Sequence, residues 1–188
     1  MILSASSLVK LEDVHAANPD AWFQAYLAGA QPRIDRLVDR VEAAGYQTLV
    51  VTGDTPMLGN REHNTRSGFS MPIKITPKVA FESAMNPRWL LGTVAQTFLR
   101  HGAPHFENTD AERGPPMMSS KVRNTNARDK LCWKNVEAIR KKWRGNLVIK
   151  GLMSPEDAFI ARDLGADAVI LSNHGGRQLD GVLSSARA

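Results

Sequence analysis

The chain alternates short apolar runs with helical stretches, and the apolar runs end in polar residues. Thr48-Leu49-Val50-Val51-Thr52 is the strongest run: β-branched and without polar alternation, the composition of a buried parallel strand. Residues 32–44 before it carry Ile34, Leu37, Val38 and Val41 at helical spacing and stop at Gly45. Ala21-Trp22-Phe23-Gln24-Ala25-Tyr26 predicts an earlier strand, and Met1-Ile2-Leu3 reads as a strand cut short by the N-terminus. Residues 133–143 predict a helix carrying Val136 and Ile139, and Leu147-Val148-Ile149-Lys150 a strand. Ser154-Pro155-Glu156-Asp157 is a helix start, with a capping hydroxyl, a proline at the first position and acids in the first turn. That helix stops at Gly165, and Ala168-Val169-Ile170-Leu171 is the last strand.

Strand–helix alternation with buried parallel strands means an α/β fold. Ser4, Gln24, Tyr26, Thr52, Asp54, Lys150, Ser172 and His174 all lie at or just past the C-terminal end of a strand. In a (β/α)8 barrel that rim is where chemistry sits. A doubly wound sheet also uses its strand ends, but polar groups from nearly every strand favour the barrel. About five strands can be counted where a closed barrel has eight, so a partial TIM barrel is expected. Residues 62–131 hold most of the prolines and no second clear strand–helix unit, and they read as a long variable loop inside a 1–188 barrel domain. Within it, residues 87–99 look helical, with Trp89, Leu90, Val94, Phe98 and Leu99 on one broad face.

Composition narrows the function classes. The chain has 188 residues, 43% of them hydrophobic, which suffices for a domain core. No apolar run approaches the ~18 residues of a membrane span, and the N-terminus has no signal-peptide pattern. The single cysteine, Cys132, excludes an internal disulfide framework and fits a reducing compartment, so a cytoplasmic location is expected. The formal charge of +5 mildly favours anionic ligands or an anionic surface and is far from a nucleic-acid-binding composition. Walker and Rossmann phosphate loops are absent. His15, His63, His101 and His105 lack the spacing of a metal site, and no metal is expected.

Three residues carry candidate chemistry. His174 can accept a proton near neutral pH, Gly175-Gly176 lets backbone approach a ligand, and Arg177 offers a forked donor suited to a carboxylate. For a lone histidine the plainer reading is a capped turn; the run His-Gly-Gly-Arg after an apolar strand favours a site. Asp54 can orient and stabilise a protonated histidine, or simply close an Asx turn before Pro56. Lys150 ends an apolar strand and needs a negative partner, either a ligand anion, which is modestly favoured, or a neighbouring carboxylate. Arg61, Tyr26 and Gln24 are further polar groups near the same rim.

Ser172-Asn173-His174-Gly175-Gly176-Arg177-Gln178-Leu179-Asp180 resembles the active-site signature of the FMN-dependent α-hydroxy acid dehydrogenases and oxidases. Trp22-Phe23-Gln24-Ala25-Tyr26, then Thr52-Gly53-Asp54-Thr55-Pro56 with Arg61-Glu62, then Ile149-Lys150-Gly151 follow in the family's order and rough spacing. The tail after Gly181 is most similar to the bacterial L-lactate dehydrogenases of that family. The resemblance implies a TIM barrel and an FMN cofactor contacted by Ser4, Gln24, Thr52 and Lys150. It implies His174 as base, Asp54 as its stabiliser, and Lys150 as the charge that stabilises reduced flavin. It also implies Arg177 on the substrate carboxylate with Arg61 nearby as a further substrate-binding residue, and Tyr26 on the substrate hydroxyl or the developing carbonyl.

The activity implied is oxidation of an L-2-hydroxy acid, first of all L-lactate to pyruvate, with glycolate or mandelate as alternatives. The acceptor would be a quinone, a cytochrome or oxygen. Residues 85–106 have two readings: a helix packed on the barrel or on a partner subunit, or one in peripheral contact with the cytoplasmic face of the inner membrane. The full-length protein is expected to be a homo-oligomer. Neither an N-terminal first strand nor the family's seventh and eighth strands are found. The chain is therefore expected to be a central fragment, roughly strands two to six, with its long loop after the fourth. The alternative to an enzyme is that this fragment is by itself non-catalytic. Cys132 stands where relatives often have a serine, a change expected to remove a helix cap, and Ser6 replaces a bulkier residue.

Overall fold

The computed structural model describes residues 1–57, 59–69, 72–119 and 128–188. Parts of the expected 62–131 loop, residues 70–71 and 120–127, lie outside the described residues. Five strands form one sheet: β1 (Ile2–Ser4), β2 (Trp22–Ala25), β3 (Thr48–Thr52), β4 (Asn146–Leu152) and β5 (Ala168–Leu171). Their spatial order is their sequence order, and every pairing is parallel. A doubly wound sheet reverses its order at a switch point; a barrel does not. The sheet is therefore an arc of a barrel. Helices α1 (Leu11–Ala17), α2 (Gln31–Ala43), α7 (Trp133–Lys142) and α8 (Pro155–Asp163) form the crossovers.

The register divides the sheet into two faces, because successive side chains alternate. Leu3, Phe23, Leu49, Val51, Leu147 and Ile149 join the core cluster with α2's Ile34, Leu37, Val38 and Val41 and α7's Val136 and Ile139. Val50 and Val148 are equally buried yet stand outside that cluster, on the opposite face. Pairing puts Ser4 beside Gln24, Gln24 beside Val50, Val50 beside Val148 and Thr52 beside Lys150. Ser4, Gln24, Thr52 and Lys150 thus share the inner face, whose apolar floor is Val50 and Val148.

α1 has no capping residue of its own: Lys10 precedes it and makes no side-chain cap. The cap comes from Asn108, 97 residues away, whose Oδ1 accepts from the Leu11 N–H at 2.8 Å. Asn108 Nδ2 donates to the Val9 carbonyl at 2.7 Å, and the residue is fully buried. Arg40 on α2 extends the same joint, donating to the Glu107 and Asp110 carbonyls and, bidentate, to Glu12. Its guanidinium holds the Glu12 carboxyl below the usual carboxylate range. Tyr46 closes the other side of α1 by donating to the Leu11 carbonyl at 2.9 Å, and burial, with the Glu12 charge, pushes its hydroxyl up to about 12.

Between β3 and α7 the chain builds α3 (Glu62–Ser67), α4 (Pro77–Ala84), α5 (Pro87–Trp89), a π-helical turn (Leu90–Ala95) and α6 (Gln96–His101). The helix expected over 87–99 is present, with a wide turn in its middle; α1, α3 and α4 were not expected from the sequence. Cys132 does not cost α7 its cap. Asn135 reaches back, and its Oδ1 accepts from the Cys132 N–H at 2.9 Å.

Replacing Asn108 by alanine strands a buried N–H and a buried carbonyl. Urea unfolding of the N108A chain should show a loss of about 1–3 kcal/mol, and a change below half of that would mean that water takes over the cap.

Candidate active site

The inner face ends in a buried carboxylate. The Asp54 side chain is 1% exposed and lies just past β3. Thr52 donates its hydroxyl to Asp54 Oδ1 at 2.6 Å. Asp54 Oδ2 takes the ammonium of Lys150, the Ser172 hydroxyl at 3.1 Å and His174 Nδ1 at 3.3 Å. The ends of β3 and β4 and the loop after β5 thus converge on one carboxylate. Burial alone pushes the Asp54 carboxyl up. The hydrogen bonds from Lys150 and Thr52, the lysine's charge and the His174 contact outweigh that, and hold it below the usual range. Of the two partners open to Lys150 in the sequence, the neighbouring carboxylate is the one the structure supplies.

The close approach depends on a glycine. Gly151 has φ +99, and a Cβ there would sit 2.6 Å from the Asp54 backbone nitrogen. The β4–β5 register also shifts between Lys150 and Leu152, a bulge at the catalytic end of the strand.

The loop after β5 is built from its own motif. His174 has φ +59; among the described residues it is the single non-glycine in that region. Such a backbone costs of order 1 kcal/mol or more and persists where surrounding structure imposes it. The restraints are local. Ser172 Oγ accepts from the His174 N–H at 3.1 Å, and Asn173 Oδ1 accepts from the Gly176 N–H at 3.2 Å. Gly175 and Gly176 follow with φ 64 and 71. With Nδ1 on Asp54, the imidazole keeps Nε2 as its free nitrogen.

The remaining predicted residues surround this network without joining it. Gln24 is buried, and among the described residues its Nε2 has no hydrogen-bond partner. Ser4 lies beside Gln24 in the register, and its hydroxyl accepts from the Ser6 N–H at 3.2 Å. Arg61 donates to Gln178 at 3.3 Å, and its Nε is buried without a partner. Arg177 is exposed, and neither arginine makes an ion pair among the described residues. Tyr26 is half-buried under a cation that the sequence did not single out, the Arg128 guanidinium, 4.5 Å from the ring centroid. Nothing in the sequence around Arg128 marks it. Among the described residues no group of three or more His, Cys, Asp or Glu could hold a metal.

An orphaned amide N–H and two unpaired guanidinium groups, ranged around a buried Asp–Lys–His network, ask for a ligand rich in acceptors and anionic at one end. Known proteins match this chain. The L-lactate dehydrogenase of Pseudomonas aeruginosa strain UCBPP-PA14 is 39% identical over 193 residues, covering 99% of this chain and 49% of that protein. That of Serratia proteamaculans is 37% identical over 191 residues, with the same coverage. The crystal structure of the monotopic membrane protein (S)-mandelate dehydrogenase superposes with a TM-score of 0.77 at 32% identity, over 98% of this chain and 48% of that one. Mandelate oxidase with benzoyl-formic acid gives 0.66 at 29%, over 98% and 42%. The chain therefore spans about half the length of the curated relatives it matches. The FMN-dependent dehydrogenase family model matches residues 1–188, and the chain belongs to that family.

Proposed function

We propose that the chain forms the flavin-facing and base-bearing part of an FMN-dependent L-2-hydroxy acid dehydrogenase acting on L-lactate. The observation that carries this reading is the single buried carboxylate that binds both His174 and Lys150. A carboxylate so held does not take up the histidine's proton; it fixes Nδ1–H and stabilises the charged ring when Nε2 gains a proton. His174 Nε2 is thus the base. It accepts either the α-proton or the hydroxyl proton of the substrate, and both routes are open to it.

FMN fits the inner face. The unmet Gln24 Nε2–H donor suits a flavin acceptor, and Ser4 and Thr52 share that face. Lys150 sits at the same rim, where its charge favours electron density on the ring. When bound, FMN takes up the electron pair of the oxidation. Arg177 and Arg61 hold the substrate carboxylate, and Tyr26, steadied by Arg128, hydrogen-bonds its hydroxyl. L-lactate is favoured over mandelate by the curated relatives, which are named for it.

Peripheral membrane contact through residues 85–106 extends the reading. Trp89, Leu91, Phe98 and Leu99 are 51%, 65%, 46% and 85% exposed, with Arg88 and Arg100 among them. Apolar side chains interleaved with cations suit an anionic interface, and the mandelate dehydrogenase neighbour is a monotopic membrane protein. Among the described residues no helix is long and apolar enough to cross a membrane.

The test sets residues 1–188 in place of the matching stretch of the Pseudomonas L-lactate dehydrogenase and assays L-lactate with an artificial acceptor. The chimera should load FMN and reduce it. His174→Ala and Asp54→Asn should each lower kcat by about 10²–10⁴; absence of L-lactate-dependent flavin reduction in the unmutated chimera would sink the assignment.

A pH dependence follows from Asp54. Its folded pKa lies below the unfolded value, so its contribution to stability is full above the unfolded value and is lost as pH falls through the folded one. Urea midpoints of the chain should therefore fall as pH drops from 6 toward about 3, and Asp54→Asn should flatten that slope. Equal slopes in both proteins would contradict the ion-paired carboxylate. For the membrane contact, cosedimentation with anionic liposomes should be strong for the chimera and weak once residues 85–106 are deleted; equal recovery of the two would count against it.

A further inference from the structure

The loops after β3 and β5 meet at a side chain to which no role has yet been given. Gln178 Oε1 accepts from Arg61 Nη2 at 3.3 Å, while its Nε2 donates to the Met57 carbonyl at 2.6 Å. The loops also touch backbone to backbone. A Cβ on Gly59 would sit 2.5 Å from the Arg177 carbonyl oxygen and 3.2 Å from Gln178 Cα. Position 59 tolerates no side chain because the Arg177–Gln178 segment occupies that space.

The chemistry of the contact is selective. Among the described residues Arg61 Nε is buried and unpartnered in a half-buried side chain, and a partly desolvated guanidinium is stabilised by an anion. A carboxylate at 178 would pair with it and spend its charge. An aliphatic side chain would leave it loose. An amide orients the guanidinium and leaves its charge uncompensated. We infer that Gln178 is a positioning residue for the substrate carboxylate: it holds Arg61 next to the Arg177 loop and leaves both cations free to bind a monoanionic acid. This deepens the hydroxy-acid reading of the same site and rests on it.

The order of two variants separates this role from a merely structural one. Gln178→Glu keeps the shape and the acceptor that faces Arg61; Gln178→Leu loses both side-chain bonds. In the FMN-loaded chimera, Q178E should raise KM for L-lactate and Ki for the competitive carboxylate oxalate about tenfold or more, and Q178L by about threefold, with kcat changed little in either. Gly59→Ala, which drives the two loops apart from the other side, should also raise KM. The inference is overturned if Q178L raises KM more than Q178E, if both leave KM and Ki within twofold of the parent, or if the loss falls on kcat alone. Oxalate affinity can be read from the flavin absorbance without turnover. An inactive parent chimera therefore defeats the lactate assignment by itself, while unchanged oxalate binding in Q178E defeats the role of Gln178.

Discussion

A buried carboxylate is tolerated only if its surroundings replace the water it has lost. Asp54 has four such replacements: Thr52, Lys150, Ser172 and His174. Thr52 is two residues away, but Lys150, Ser172 and His174 are distant in sequence, and they meet the carboxylate only if β3, β4 and β5 lie side by side in register. The carboxylate thus depends on the fold, and the active-site geometry depends on the carboxylate. Removing one donor leaves a charge under-compensated, which costs more than the lost bond is worth. Gly151 is the steric condition of the arrangement, since any side chain there displaces the Asp54 backbone.

The division of the sheet into two faces explains why one short strand can serve both stability and chemistry. Leu49 and Val51 pack against helices, while Val50 and Thr52, one residue out of phase, face inward. A full apolar run is what such a strand needs along most of its length, and a polar inward residue is affordable only at its end. This is why Thr48–Thr52 carries hydroxyls at its termini and none between them. The same phase puts Lys150 rather than Ile149 on the inner face.

Legibility in the sequence followed the range of the interactions concerned. α2, β3 and β4 are specified by local apolar pattern and α8 by its local Ser154 cap, and all four were readable. α1 was not, because its first N–H is satisfied by Asn108 across 97 residues and Lys10 gives no start signal. The Ser172–Arg177 turn was readable as a motif, since its restraints are bonds within the turn itself. That Lys150 pairs with Asp54 was one of two open possibilities, and only the three-dimensional register decides it. Arg128 over Tyr26, and Gln178 on Arg61 at a separation of 117 residues, left no local trace.

The site also distributes its tasks by rigidity. The groups assigned to the flavin stand on strands or immediately at their ends: Ser4, Gln24, Thr52 and Lys150. His174, the group assigned as base, stands on a turn that its own hydrogen bonds lock at a costly φ. The groups assigned to the substrate, Arg61 and Arg177, lie further out on loops. Electron and proton transfer tolerate little displacement of the reacting groups, whereas a carboxylate clamp can be reached by long side chains from movable positions. Loops of that kind can change to admit a different 2-hydroxy acid while the strand ends stay fixed. A cross-loop amide such as Gln178 suits this layout, because among the described residues no hydrogen bond within either loop links one arginine to the other.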